Sequence, residues 1–196
     1  CLQSKNKRMS ENKNTIRCSM QEILSRKTGD YASADGAQVA KRLSEFASVQ
    51  FADTVMVYLP IAGELNLMPL MQSWLDESRI VCTPIVDWDS KTMKAGLLSG
   101  LGDGDLVPDQ HGIRNPAKFI PVPHESIEVV VVPGVAFTKN GLRLGRGGGY
   151  YDKFLAMNSP PIILGVCFDE QVIDNLPSEE HDVRMTAVIT PTQTYI

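Results

Sequence analysis

At 196 residues, with 43% hydrophobic and 21% charged side chains, the chain is long enough to bury one substantial core and short for two. Its net charge of −4 is spread over both halves, which excludes a general nucleic-acid footprint and makes any anion site a local one. The cysteines at 1, 18, 82 and 167 form no CxxC pair, so they read as reduced thiols of a cytosolic protein rather than a disulfide framework or a metal cluster.

Residues 1–12 are polar and basic with no apolar run behind them, which argues against a signal peptide, and no later stretch approaches membrane-spanning length. They are expected to form a poorly ordered lead, with Met9 as the natural start and Cys1 a start-site remnant rather than a lipid anchor, ahead of a single domain over residues 13–196. From Asn14 to Lys27, Ile16, Met20, Ile23 and Leu24 fall on one helix face. Lys13 and Arg17, four apart, share another face and by spacing alone read as a solvated charged edge.

A second helix is predicted from Ser33, as N-cap, through Val39, Leu43 and Phe46. Thr54 to Leu59 is a β-branched and aromatic strand ending at Pro60, and the turn Pro60–Glu64 follows where open α/β sheets place their ligands. Glu64 alone reads as a helix N-terminal carboxylate favoured by the dipole. Leu67–Leu75 is predicted as a short helix, Arg79–Val86 as a strand broken at Pro84, and Lys91–Leu98 as one arm of a hairpin with the residues before it. Gly100–Pro123, rich in Gly, Pro and Asp, is expected as an irregular surface excursion, with Asp103, Asp105 and Asp109 as turn residues because they lack Ca²⁺-loop spacing.

The densest chemistry lies from Val129 to Leu155, VVVVPGVAFTKNGLRLGRGGGYYDKFL. Four valines read as a buried strand stopped by Pro133-Gly134, and Gly145, Gly147, Gly148 and Gly149 then remove the Cβ atoms that would hold a ligand off the backbone. A helix starting at Tyr150 directly after that loop presents free N–H groups, for which phosphate is the natural guest. Arg143 and Arg146 suit phosphate oxygens, Tyr150 and Tyr151 a heterocycle, and Asp152 a Mg²⁺ ion. A flexible linker would be Ser-rich and would lack these flanks. The pattern is neither a P-loop, which needs Lys-Ser/Thr at its end, nor a dinucleotide fingerprint. After it come a helix over Tyr150–Met157, a strand over Ile162–Phe168, a short helix over Val172–Pro177 and a last strand over Met185–Ile189. Alternating strands and helices define the fold class as α/β, a single-domain three-layer α/β/α with a mostly parallel central sheet.

The stretch PGVAFTKNGLRLGRGGGYYDKFL resembles the signature of the 5-formyltetrahydrofolate cyclo-ligase (5,10-methenyltetrahydrofolate synthetase) family. KNTIR at Lys13–Arg17, YLPIAGELN at Tyr58–Asn66 and LPSEEHDV at Leu176–Val183 resemble the same family in the same order. The resemblance implies ATP- and Mg²⁺-dependent cyclisation of 5-formyltetrahydrofolate to 5,10-methenyltetrahydrofolate by a cytoplasmic monomer, with no nucleic-acid or membrane partner. It implies ATP contacts at Lys13, Arg17 and the run Arg143, Leu144, Gly145, Arg146, Gly147, Gly148, Gly149, Tyr150 and Tyr151. Folate contacts are implied at Leu59, Glu64 and residues 146–150, catalytic roles for Arg143, Arg146 and Tyr150, and a metal ligand at Asp152. One position departs from the family: Thr186 stands where members carry a second acidic Mg²⁺ contact, so the metal shell is expected to lean on Asp152, phosphates and water. Thr186 also favours a rival reading, a non-catalytic paralogue that binds nucleotide or folate without turnover. A base-stacking Arg-Gly-Gly-Gly-Tyr-Tyr module is a further rival, set back by the lack of a wider basic surface.

Overall fold

The computed structural model describes residues 2–179 and 182–196, so Cys1 and, within the LPSEEHDV block, Glu180 and His181 lie outside the described residues. The first helix, α1 (Leu2–Leu24), starts well before Asn14 and takes in residues 2–12. Its apolar face behaves as the periodicity predicts: Met20 is buried against Val135, Ala136 and Leu144, with Ile16 and Ile23 beside it.

The second helix, α2 (Asp30–Glu45), begins before Ser33, because Gly29 takes a φ of 57° and turns the chain immediately after α1. Asp30 sits in the first turn, where the helix dipole favours it, and Ser33 serves as an interior residue whose N–H reaches Gly29 O. A short helix, α3 (Ala47–Gln50), leads to β1 (Thr54–Val57), which is buried on both faces. Helix α4 (Met68–Asp76) carries Pro69 in its first turn, where the missing N–H has no partner to lose.

Strand β2 (Ile80–Asp87) runs unbroken through Pro84, contrary to the predicted interruption. Its pairing with β1 covers Ile80 to Cys82 only, so the proline leaves no gap in that ladder, while β3 (Thr92–Leu97) pairs antiparallel along the rest. The predicted excursion is likewise more ordered than its composition suggests. It forms a hairpin of β4 (Leu106–Pro108) and β5 (Arg114–Pro116), then returns along β3, where Leu97 N–H donates to Ile120 O (2.8 Å) and Val122 N–H to Ala95 O (3.0 Å). The sheet edge is thereby covered. Asp109 does act as a turn residue, its Oδ1 accepting from His111 and Ile113 N–H at 2.8 and 2.9 Å.

Strand β6 (Val129–Val132) is fully buried, as four valines require. A hairpin of β7 (Ala136–Phe137) and β8 (Arg143–Leu144) follows, then α5 (Tyr150–Asn158), β9 (Ile162–Val166), β10 (Ala187–Ile189) and β11 (Thr194–Tyr195). The helix predicted over Val172–Pro177 is absent. One 3-10 turn at Asp169–Gln171 precedes it, and Val172 and Ile173 instead align with Phe137, whose carbonyl accepts from Ile173 N–H at 2.8 Å.

The main sheet has the order β11-β10-β9-β6-β1-β2-β3, parallel from β10 through β2 with an antiparallel strand at each edge. Side chains alternate across it: Val55, Val57, Val129 and Val131 join α2 and α4 on one face, while Met56, Val130 and Val132 join α5 and Phe137 on the other. Each such valine contributes roughly 1.5–3 kcal/mol by leaving water. The three-layer α/β architecture and mostly parallel sheet match the sequence reading. From β1 the chain moves outward to β2 and β3, then crosses back to β6, so the winding direction reverses between β1 and β6. That reversal opens a crevice at their C-terminal ends.

Candidate active site

Both strands that flank the crevice end in a tied-down turn. After β1, the buried Tyr58 donates its hydroxyl to Leu65 O (3.0 Å), bridging the Pro60–Glu64 turn. Gly63 has a φ of 81°, and a Cβ there would sit 3.2 Å from that of Leu24, so glycine lets the turn approach α1 closely. After β6, buried Gln171 donates its amide to Gly134 O (2.7 Å) and Val135 O (3.0 Å), while its Oε1 accepts from Phe168 N–H (2.8 Å). The β7–β8 hairpin then delivers the glycine loop to the same place, with Gly147 and Gly149 at φ values of 109° and 68° and α5 starting at Tyr150.

Two cavities meet there. One, of about 440 Å³, is largely apolar and aromatic, with Leu59, Trp88, Ile113, Tyr150 and Tyr151 around the carboxylate of Glu64. The other, of about 540 Å³, lies between α1 and the Pro60–Glu64 turn and is lined by Arg17, Gln21, Ser25, Thr28 and Gly63. Arg146 lines both. Its Nη2 donates to Glu64 Oε1 (3.3 Å) and Ala62 O (3.2 Å), and its side chain remains 53% exposed. The Glu64 side chain is only about one-tenth exposed, with Oε2 accepting from Ile61 N–H (3.2 Å), and desolvation holds its carboxyl above the ordinary value despite the opposing pull of Arg146.

The two arginines of the signature separate in role. Arg143 is buried, with Nη2 on Asp152 Oδ1 at 2.6 Å, Nη1 on Pro133 O at 3.2 Å and its guanidinium 5.3 Å from the Tyr151 ring centre. Among the described residues its Nε and the Tyr151 hydroxyl are buried without a hydrogen-bond partner, and both residues line the aromatic cavity. Burial raises the Tyr151 phenol far above its ordinary value, so it is a neutral hydroxyl. Leu144 turns its side chain into the small core under α1, away from both cavities.

Arg17 reaches the loop, its Nε donating to Gly145 O (2.9 Å), and its guanidinium lies against Gly147. Lys13 is held apart from both cavities by Glu179 (2.8 Å) and Asp182 (3.5 Å). Thr186 is also remote: its Oγ1 accepts from Ile163 N–H (3.0 Å), toward the N-terminal end of β9. No group of three or more His, Cys, Asp and Glu side chains suited to a metal gathers among the described residues. Cys82 and Cys167 are buried, and burial pushes the Cys82 thiol up to about 12, so neither offers a thiolate.

Sequence reasoning did not single out Trp88, His111, Ile113 or Gln171. Trp88 donates Nε1 to Asp109 (3.0 Å) and contacts the His111 and Tyr150 rings at 4.2 and 5.6 Å, so the β4–β5 hairpin supplies a wall of the aromatic cavity. A lone tryptophan after a strand was the only available signal.

A crevice at the reversal point of an α/β sheet, walled by a glycine loop and arginines, has the form of the small-molecule sites that enzymes of open α/β fold carry there. A sequence profile of the 5-formyltetrahydrofolate cyclo-ligase family matches residues 9–191. The 5-formyltetrahydrofolate cyclo-ligase of Escherichia coli strain K12 is 32% identical over 169 residues, covering 82% of this chain and 90% of that protein. The one from Mycolicibacterium smegmatis is 34% identical over 143 residues, covering 70% and 73%. Among solved structures, the 5,10-methenyltetrahydrofolate synthetase of Aquifex aeolicus superposes with a TM-score of 0.80 at 26% identity, covering 93% of this chain and 91% of that one. The chain belongs to the 5-formyltetrahydrofolate cyclo-ligase family and is an enzyme of the ligase class. No helix among the described residues is long and apolar enough to cross a membrane.

Proposed function

We propose that this enzyme uses ATP and Mg²⁺ to close 5-formyltetrahydrofolate to 5,10-methenyltetrahydrofolate, releasing ADP and phosphate. The observation that carries the reading is Arg146 on the common wall of a polar cavity and an aromatic one, beside the glycine loop. Two substrates that exchange a phosphoryl group need such adjoining sites. The folate takes the aromatic cavity, where Leu59 and the Tyr150 ring flank the pterin and Glu64 accepts from its N–H groups. The buried, unpartnered Tyr151 hydroxyl and Arg143 Nε support a polar guest in that cavity. ATP takes the cavity along α1, its phosphates on Arg17, Arg146 and the backbone of Gly145–Gly149.

The formyl oxygen is a poor leaving group as it stands. It attacks the γ-phosphorus as the bond to ADP breaks, giving an iminium phosphate. N10 then adds to the activated carbon and loses its proton, and phosphate departs with the former formyl oxygen. Arg146 meets the charge that develops on the transferring group, while Arg143 positions Asp152 and Tyr151 rather than clamping phosphate itself. Mg²⁺ fits as an ion held by the single carboxylate of Asp152 with phosphate oxygens and water, and when bound it neutralises phosphate charge. Lys13 acts through its carboxylate partners at the edge of the site. Mixing the protein with MgATP and 5-formyltetrahydrofolate tests the reading by the absorbance rise of the methenyl product. No rise, with the protein folded, would overturn it.

A further inference from the structure

We infer that Gln171, which lines neither cavity, is a positioning residue for the reaction: its amide aligns the two cavities by fixing the turn that gives a wall to each. The inference rests on the proposed transfer between two adjoining sites and adds a residue to it. Gln171 is 2% exposed, and both its N–H donors and its oxygen are engaged inside the protein. Nε2 donates to Gly134 O (2.7 Å) and Val135 O (3.0 Å), while Oε1 accepts from Phe168 N–H (2.8 Å). Such an amide has no donor left for a ligand, so its effect passes through the residues it holds.

Those residues reach both cavities. Gly134 lines the aromatic one and Val135 the one along α1. The same turn seats the strand that leads into the glycine loop: Val135 N–H donates to Leu144 O (2.7 Å), and Pro133 O accepts from Arg143 Nη1 (3.2 Å). Gln171 is itself firmly held. In its 3-10 turn Asp169 accepts from the Thr192 hydroxyl (2.8 Å) and Glu170 pairs with Lys27 (2.8 Å), and just beyond it Ile173 N–H donates to Phe137 O (2.8 Å). A turn released from this amide shifts one wall of each cavity together with the start of the glycine loop, which disturbs the alignment of the transferring phosphoryl with its acceptor. Most contacts of each guest lie on other residues, so the loss falls on kcat rather than on KM.

The test uses the full chain with Gln171→Met, which keeps the length and removes both donors, and Gln171→Asn, which keeps the amide but falls one methylene short of the two carbonyls. Arg79→Leu serves as the stability control, because Arg79 holds Val49 O (2.6 Å) and Gln50 O (3.3 Å) near the opposite ends of the parallel strands. Turnover is measured well below the melting temperature of each variant. In Gln171→Met kcat should fall by about 10²-fold, the order produced by a misplacement of about 1 Å, with the KM of both substrates nearly unchanged. Gln171→Asn should fall between that variant and wild type, and Arg79→Leu should lose Tm while keeping kcat. Wild-type kcat in folded Gln171→Met, or in Gln171→Asn where the methionine variant does not fold, would overturn the role and leave the proposed reaction standing. So would a loss confined to KM, or one no larger than that of Arg79→Leu. A wild-type protein without turnover would overturn the proposed reaction and this role with it.

Discussion

Arg146 Nη2 and Glu64 Oε1 lie 3.3 Å apart, joining the glycine loop after β8 to the turn after β1 across 82 residues of chain. The pair is unequal, since the Glu64 side chain is 10% exposed and that of Arg146 53%. Glu64 belongs to the aromatic cavity alone, whereas Arg146 faces both. Under the proposed function, a folate group donating to Glu64 would compete with Arg146 for the same oxygen, so filling one cavity would change what the arginine can do in the other.

Arg146→Ala is expected to lower turnover by about 10²-fold, because a cation that meets charge only as it develops acts on the transition state. Folding should suffer little, as a half-exposed ion pair contributes about 1 kcal/mol or less. Methenyl absorbance and a thermal melt together check this. Near-normal turnover in a folded variant would remove Arg146 from the chemistry.

Glu64→Gln should stabilise the folded protein at neutral pH but not in acid. Burial raises the folded-state value of this carboxyl, so the folded protein holds the proton more firmly than the unfolded chain does. Its contribution to stability is therefore greatest below the ordinary glutamate value of about 4.3, and it falls as pH rises through the window above that. Glutamine does not titrate. The Tm advantage of the variant over wild type should grow across that window and then level off; an advantage independent of pH would mean that Glu64 carries no desolvation penalty.

The parts of this architecture that were legible in the sequence are those whose cause is local. Val129–Val132 reads as a buried strand because β-branched residues on both faces leave it no solvated side, and the four glycines of Gly145–Gly149 announce a backbone that something must approach. Strands β4 and β5, three residues each, are too short to show alternation, and the Asp109 turn that joins them looks like loop composition. Pro84 reads as a break only until the pairing partners are known. The site follows the same division. Arg143 and Arg146 are equivalent by composition, yet an ion pair to Asp152 buries the first, and long-range packing leaves the second half-exposed. The Trp88 and His111 contact depends on where a distant hairpin lands, which no local pattern records.

Gly148→Val should abolish ATP binding by a route that involves its neighbour. Gly148 does not have a positive φ, unlike Gly147 and Gly149, so backbone strain is not the cause. A Cβ at position 148 would instead lie 2.6 Å from the Tyr150 ring, and branching would add to the clash. The ring must move or the loop must open, and either change would disrupt the backbone to which the proposed function assigns the phosphates. Calorimetry with ATP checks the loss; unchanged affinity would show that the loop backbone does not hold phosphate.

Thr186→Asp should leave the Mg²⁺ requirement unchanged, although it introduces the acid that the family resemblance leads one to expect at this position. The Thr186 hydroxyl accepts from Ile163 N–H at 3.0 Å and its own N–H donates to Ile163 O at 2.7 Å, which places it just ahead of β10 and beside the start of β9. The cavities open at the other ends of the parallel strands, about 10 Å further along at three strand residues. An aspartate at 186 can still accept from Ile163 N–H, but it suits a strand less well than threonine, so a stability loss of about 1 kcal/mol or less is the expected effect. Asp152→Asn acts in the opposite sense. It weakens the one signature carboxylate on the cavity wall and leaves the buried Arg143 guanidinium without its charged partner, so both the Mg²⁺ requirement and the unfolding sensitivity should rise. Titrating Mg²⁺ at saturating ATP in wild type and the two variants separates the positions: a lower requirement in Thr186→Asp would mean that residue 186 reaches the metal.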